Sequence, residues 1–328
     1  MTTIIIGFTP FHLLPMRELI ATLQGDLHVF HPMASELRDS VEGSSLVFLG
    51  GCDSSQKSRW RRYVQARREI DRMMTSGKQV DLYLPHPFNP LSNHAFFHEG
   101  PIRRFIYQDG ILNYYDAATP LAPFSTRVRQ RAKAAVIGAH YRMYDGHLSG
   151  IDSRPVAGGF FTHPDRVVSV EKFPLLRRLA FRTNHQTADL IDEGDVLFLD
   201  QSVELIVGTE RARELRRRTV EYIDALGARV LYKPHYAQGR EKSLGPRWVP
   251  LAPGLSALPA EWALARIRVA HVVSFCTSAL ANIAMSDSTI TCHATAANLI
   301  PVSVNGRRTT LAEVLSGLGV KVVELLHS

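Results

Sequence analysis

Apolar residues in this chain come in short unbroken runs rather than in alternation. Thr2 to Phe8 is the first, and Leu27 to Phe30, Ser45 to Leu49 and Val80 to Leu84 follow, with a shorter run at Phe105 to Tyr107. Unbroken Ile, Val and Leu of this length predict strands covered on both faces, as in a parallel sheet. Phe11 to Leu23 reads as a helix after the first of them. The second half repeats the style. Asp195 to Leu199, Arg229 to Tyr232, Val272 to Phe275, Ser288 to Cys292 and Val320 to Leu325 read as strands. Glu210 to Leu226, ended by Gly227, reads as a helix, as do Ala260 to Ala270, Ser278 to Met285 and Leu311 to Leu318. Strands alternating with helices imply βαβ units with right-handed crossovers. A polar stretch from Thr183 to Gly194 separates the two apolar halves. The expected fold is α/β, with two Rossmann-like doubly wound domains facing each other across a cleft, residues 1–188 and 189–328.

A chain of 328 residues is long for one core and suits two such domains. Its 45% hydrophobic and 21% charged residues exclude disorder as the main state. The net charge of +7 and pI of about 9.4 fit a nucleotide donor, a polyanionic substrate, an anionic membrane or nucleic acid, without choosing among them. Cys52, Cys276 and Cys292 give neither a disulfide framework nor metal-ligand spacing, and read as buried thiols of a reducing compartment. The apolar N-terminus lacks a basic leader and is interrupted by Pro10, His12 and Pro15, so it is no signal peptide. No stretch reaches the ~18 apolar residues of a transmembrane helix. The expectation is a cytoplasmic protein, at most peripheral at the inner membrane.

Ligands of open α/β sheets bind beyond the carboxyl ends of strands. Four polar sites follow predicted strands or open predicted helices. In FIYQDGILNYYD, Asp109 can take a proton from an acceptor hydroxyl; its unperturbed pKa of about 3.9 makes it a weak base unless burial raises it. On pattern alone Asp109-Gly110 reads slightly better as a surface turn, since Asp-Gly turns are common. In VLYKPHYAQGR, Lys233 and His235 can face a phosphate, or decorate an exposed turn. In HVVSFCTSALANIAM, Thr277 and Ser278 open a helix whose free N–H groups suit an anion, or simply cap it. In LPAEWALARI, Glu261 can bond ribose hydroxyls, or favour the helix dipole. One base candidate in the first half and three anion or ribose candidates in the second fit an acceptor domain and a nucleotide-donor domain.

Some signatures are absent. No Asp-x-Asp occurs, and the nearest pair, Glu69 and Asp71, diverges on a helix. No Walker loop, strand-linked GxGxxG, HExxH or GxSxG is present, which disfavours phosphoryl transfer, dinucleotide redox and serine hydrolysis.

In their order, these motifs resemble those of bacterial sialyltransferases of the glycosyltransferase-B type, in particular the family of polysialyltransferases and lipooligosaccharide sialyltransferases. Gln108-Asp109-Gly110 resembles its acidic motif, Lys233-Pro234-His235 its His-Pro motif, and Thr277-Ser278 its Ser/Thr pair. FTPFHLL, GDVLFLDQS and PAEW are also similar, so the resemblance spans most of the chain. It implies an inverting, metal-independent transfer from a CMP-activated sugar, with no cofactor. Asp109 would be the general base and His235 would meet the departing phosphate. Lys233, Thr277, Ser278, Glu261, Gln201 and Ser202 would hold the donor. His12, in the matched opening, would line the acceptor side with Gln108 and Asn113. Gln108 replaces an acidic residue and Tyr236 stands where the motif has proline. His163-Pro164 and His86-Pro87 are literal His-Pro pairs elsewhere. The departures widen the sugar to sialic, pseudaminic or legionaminic acid or Kdo; the implied acceptor is a bacterial surface glycan.

Lys57, Arg59, Arg61, Arg62, Arg67, Arg68 and Arg72, with Trp60 and Tyr63, read as a basic amphipathic helix: a solvated face, or one that docks on an anionic membrane. Arg127, Arg129, Arg131 and Lys133 invite the same two readings. Rival functions are a sugar-nucleotide epimerase or hydrolase on the same fold, a basic nucleic-acid-binding protein, and an inactive binding homologue. No recognised nucleic-acid module is present, so no nucleic-acid partner is expected.

Overall fold

The structure, a computed structural model, describes residues 1–40, 45–49, 56–119, 124–180, 192–227, 229–234, 245 and 247–326. The chain divides into two compact units, Met1–Ala180 and Phe181–Ser328. The polar seam expected from the sequence falls mostly outside the described residues.

The first unit holds one seven-stranded sheet. Its strands are β1 (Thr2–Ile6), β2 (Asp26–His31), β3 (Ser45–Phe48), β4 (Val80–Leu84), β5 (Ile102–Tyr107), β6 (Gly158–Phe161) and β7 (Leu176–Arg178). They lie in the order β3-β2-β1-β4-β5-β6-β7, and every pairing is parallel. Helix α1 (Leu13–Thr22) follows β1, α2 (Gln56–Met74) precedes β4, α3 (Pro90–Phe97) joins β4 to β5, and α4 (Phe124–Val136) precedes β6. Ile4, Ile5 and Ile6 of β1 and Leu82 and Leu84 of β4 are fully buried, so the unbroken apolar runs are strands covered on both faces.

The second unit has a six-stranded parallel sheet. The small strand β8 (Asp192–Glu193) comes first, then β9 (Val196–Leu199), β10 (Val230–Lys233), β11 (Val249–Pro250), β12 (Ile267–Arg268), β13 (His271–Ser274), β14 (Thr291–Ala294), β15 (Pro301–Val304), β16 (Arg307–Thr310) and β17 (Lys321–Val322). The main sheet runs β11-β10-β9-β13-β14-β17, while β8 pairs with β12 and β15 with β16. The helices are α5 (Glu204–Val207), α6 (Thr209–Leu226), α7 (Pro253–Ala257), α8 (Ala260–Ala263), α9 (Ser278–Ser286) and α10 (Leu311–Gly317).

Some of the expected elements are corrected. The helix expected over Ala260 to Ala270 stops at Ala263. Beyond it Ile267 and Val269 are buried and Arg268 is exposed, the period of a strand, and Ile267 and Arg268 pair with Asp192 and Glu193. The strand expected over Ser288 to Cys292 begins at Thr291, because Asp287 Oδ1 accepts from the Thr289 N–H and hydroxyl and turns the chain first. β6, β7 and the β15–β16 hairpin were not expected: Gly158 and Gly159 replace branched residues in β6, and β16 is the polar run RRTT.

Candidate functional site

In the first sheet the strand order turns between β1 and β4. The crevice beyond the carboxyl ends at such a switch point is where open sheets bind ligands. Side chains from three adjacent strands meet there. His12 ends the 3-10 turn Pro10–His12 after β1, His86 follows β4, and Asp109 follows β5. His12 Nε2 lies 3.0 Å from Asp109 Oδ1, and His86 Nε2 lies 3.1 Å from Asp109 Oδ2.

The second nitrogen of each ring fixes its hydrogen. His12 Nδ1 accepts from the backbone N–H of Phe8 at 3.0 Å and of Thr9 at 3.3 Å. His86 Nδ1 accepts from the Phe88 N–H at 3.1 Å. A backbone N–H can only donate, so neither Nδ1 carries hydrogen, and each ring aims an Nε2–H at the carboxylate. Burial pushes the Asp109 carboxyl up, but the His12 and His86 rings outweigh it and hold Asp109 ionised, well below the usual carboxylate range. Of the pair, only Asp109 reaches solvent: its side chain is 18% exposed and that of His12 is 0%.

The turn that carries Asp109 needs its glycine. Gly110 has φ 57°, and the Leu112 N–H donates to the Asp109 carbonyl at 3.1 Å. Asn113 Oδ1 accepts from the Asp109 N–H at 3.3 Å, so Asn113 braces the backbone of the turn. Gln108 is fully buried. Neighbours along an extended chain point to opposite faces, and Gln108 Oε1 accepts from the Thr162 N–H at 2.7 Å and the Tyr114 hydroxyl at 2.8 Å. The half-buried Phe8 ring lies 5.7 Å from His12 and 5.8 Å from His86, adding an apolar wall. His163, of the His163-Pro164 pair, turns toward Asp165, 4.0 Å away.

In the second sheet the order turns between β9 and β13. Gln201, just after β9, bridges that point: its Oε1 accepts from the Cys276 N–H at 2.9 Å and the Ser274 hydroxyl at 3.3 Å. Ser202 adjoins it, half-buried. Thr277 is the N-cap of α9 and its hydroxyl accepts from the Ala279 N–H at 3.4 Å, which leaves Ser278 in the first turn. Lys233 ends β10, is buried, and donates to the Ser256 carbonyl. Burial pushes its ammonium down to about 8, against the raising effect of Glu261. Glu261 is itself buried and accepts from Asn282 Nδ2 at 2.8 Å. Burial pushes its carboxyl up, against the Asn282 hydrogen bond and Lys233. His235 and Tyr236 lie outside the described residues.

Two supporting residues escape motif reading. Arg216 holds the loop after β9: it donates to Glu204 Oε1 at 2.8 Å, Asp200 Oδ1 at 3.1 Å and the Gln201 carbonyl at 2.9 Å, and lies over Phe275. Its place between the buried Ala212, Leu215 and Thr219 of α6 was the available signal. Asn282 sits on the buried side of α9, within an apolar run that reads as core.

No protein-family profile and no functionally characterised sequence matches the chain. Solved structures do. The chain is similar to the α/β-galactoside α-2,3-sialyltransferase of the luminous marine bacterium Photobacterium phosphoreum, with a TM-score of 0.54 and 10% identity over 98% of each chain. It is similar to the UDP-GlcNAc 2-epimerase of Neisseria meningitidis bound to UDP-GlcNAc, with a TM-score of 0.51 and 9% identity over 97% of this chain and 85% of that one. The Methanocaldococcus jannaschii UDP-GlcNAc 2-epimerase complex with UDP-GlcNAc and UDP gives a TM-score of 0.50 and 8% identity over 98% and 89%. With the two parallel switch-point sheets, these likenesses establish the fold: two Rossmann-like domains of the glycosyltransferase-B type.

Proposed function

We propose that this chain is an inverting, metal-independent glycosyltransferase. It moves an acidic sugar (sialic, pseudaminic or legionaminic acid, or Kdo) from a CMP-activated donor to a bacterial surface glycan. The observation that carries the reading is Asp109, an ionised, solvent-reaching carboxylate oriented at a sheet switch point by two imidazole N–H groups. A carboxylate has about four lone-pair sites, and the two rings use two of them. The acceptor hydroxyl oxygen attacks the anomeric carbon, the bond to the CMP phosphate oxygen breaks, and the hydroxyl proton passes to Asp109. The hydroxyl becomes acidic as its oxygen bonds to carbon, so a weak but fully ionised base takes the proton late.

In the second unit, Lys233 and the first turn of α9 with Thr277 and Ser278 are assigned to the donor phosphate and carboxylate. Glu261 is assigned to the ribose hydroxyls, Gln201 and Ser202 to the donor loop, and His235 to the departing phosphate. The two rings beside Asp109 are not placed as metal ligands. Each Nε2 that faces Asp109 bears a hydrogen, so it has no lone pair for a metal ion. The basic outward side of α2, with Arg59, Arg61, Arg68 and Arg72 exposed around Trp60, is assigned to an anionic membrane surface.

A second reading, a sugar-nucleotide epimerase, is favoured by the epimerase structures with TM-scores of 0.51 and 0.50. Calorimetric titration without metal separates the donors: selective CMP binding, lost when Thr277 and Ser278 are both replaced by Ala, is expected. Preference for UDP contradicts the CMP assignment and favours the epimerase.

A further inference from the structure

His31, the last residue of β2, is fully buried, and with Pro32 it forms a third literal His-Pro pair. Both its nitrogens are engaged. The Met33 N–H donates to Nδ1 at 2.9 Å, so the ring hydrogen sits on Nε2 and is donated to the Thr9 carbonyl at 2.8 Å. Burial pushes this imidazole down to about 3, against the raising effect of the Thr9 carbonyl and with a further lowering from His12.

Thr9 is the hub. Its carbonyl also accepts from the His12 backbone N–H at 3.0 Å, and its own N–H donates to His12 Nδ1. One hydrogen-bond chain therefore runs from β2 to the site: Met33 N–H to His31, His31 to Thr9, Thr9 to His12, and His12 to Asp109. Close packing holds the two rings in place. A Cβ on Gly7 would come within 2.8 Å of His31 Cδ2 and 3.1 Å of His12 Cβ.

We propose that His31 is a positioning residue: by holding the Thr9 carbonyl it keeps the Phe8 and Thr9 N–H groups on His12 Nδ1, and so sets the tautomer that presents N–H to Asp109. This rests on the reading of Asp109 as the reacting carboxylate only for its effect on rate; the tautomer is independent of any substrate. Without His31 the Phe8–Thr9 turn loses its side-chain tie to β2, leaving the Gly7 N–H to the Phe30 carbonyl, so His12 Nδ1 loses a fixed pair of donors and the ring becomes free to exchange tautomers.

The test uses full-length protein labelled with 15N-histidine, whose two-bond 1H–15N spectra report the tautomer of each ring. Wild-type His12 and His31 are expected as Nε2–H forms. In His31→Leu, His12 is expected to become a mixture of tautomers, with kcat for transfer down roughly 10²-fold, the effect of a small misplacement, and CMP affinity unchanged. His31→Gln keeps an N–H toward Thr9 and is expected to restore the His12 spectrum. A wild-type His12 carrying hydrogen on Nδ1 overturns the proposal even if His31→Leu does not fold. So does a folded His31→Leu whose His12 remains purely Nε2–H. Absence of CMP-sugar transfer counts against the proposed function and leaves the spectral result to decide the role of His31.

Discussion

His12 and Asp109 are 97 residues apart in the chain, yet His12 Nε2 lies 3.0 Å from Asp109 Oδ1. β1 and β5 flank β4, so their carboxyl ends bring the two residues to one place, and His86 from β4 completes the group.

Asp109→Asn is expected to lower kcat by about 10²- to 10⁴-fold, the usual weight of a positioned base, with CMP affinity unchanged by calorimetry. The amide also turns an N–H toward one ring hydrogen, so His12 or His86 must rotate. Turnover near the wild-type rate would contradict the base role.

Asp109 also makes stability depend on acid. Its carboxyl is held below its ordinary range in the fold. Its contribution is therefore fully present above the unfolded value of about 3.9, and is lost as pH falls below that toward the folded value. Denaturant unfolding of wild type and Asp109→Asn should differ most at neutral pH and converge on acidification.

Lys233 predicts the alkaline side. With its ammonium near 8, phosphate affinity should fall as pH rises through 8, because the neutral amine no longer attracts the anion. The fold itself should gain stability between about 8 and the unfolded value of about 10.4, where the unfolded chain binds more protons. CMP titrations from pH 7 to 10 with wild type and Lys233→Met check the affinity, and denaturant unfolding over the same range checks the stability; an unchanged pH dependence of CMP binding in the variant would exclude Lys233 from the donor site.

Arg216→Met should weaken CMP binding by about tenfold or more and leave kcat at saturating donor nearly intact. The residue acts through the loop after β9 and Gln201, not on reacting atoms. A fall in kcat with unchanged donor affinity would contradict this.

On α2, a groove of about 470 Å³ is lined by Trp60, Arg61, Val64, Gln65 and Arg68. Each basic residue near an anionic bilayer contributes about 1 kcal/mol. Replacing Arg61, Arg68 and Arg72 by Ser should therefore lower partition onto phosphatidylglycerol vesicles by about 10²-fold and leave neutral vesicles unaffected. Equal binding of wild type and variant would contradict the membrane assignment.

The fold was legible because Ile4 to Ile6, Leu82 to Leu84 and Val196 to Leu199 are unbroken apolar runs, a pattern that double-sided burial demands. Asp109 and His86 could be placed as polar residues at strand ends. That they share one carboxylate with His12 was not legible, since strand order, not spacing, brings them together. The His31-Pro32 pair is readable in the sequence, but the contact it makes is hidden for a related reason. His31 closes the strand DLHVFH, and its partner Thr9 is 22 residues away. Gln108 sits beside the candidate base in sequence and still points into the core, because neighbours along an extended chain face opposite ways. Ile267 and Val269, alternating with exposed Arg268, carry the signal of β12, which the helical start at Ala260 overlies.

The most direct measurement is acceptor-dependent transfer from CMP-activated acidic sugars in the presence of a chelator, followed by mass of the extended glycan, for wild type and Asp109→Asn in parallel. The account predicts a product one acidic sugar heavier with wild type, unaffected by chelation, and none with the variant. Free sugar or an epimerised nucleotide sugar released without an acceptor, or transfer that survives Asp109→Asn, would contradict it.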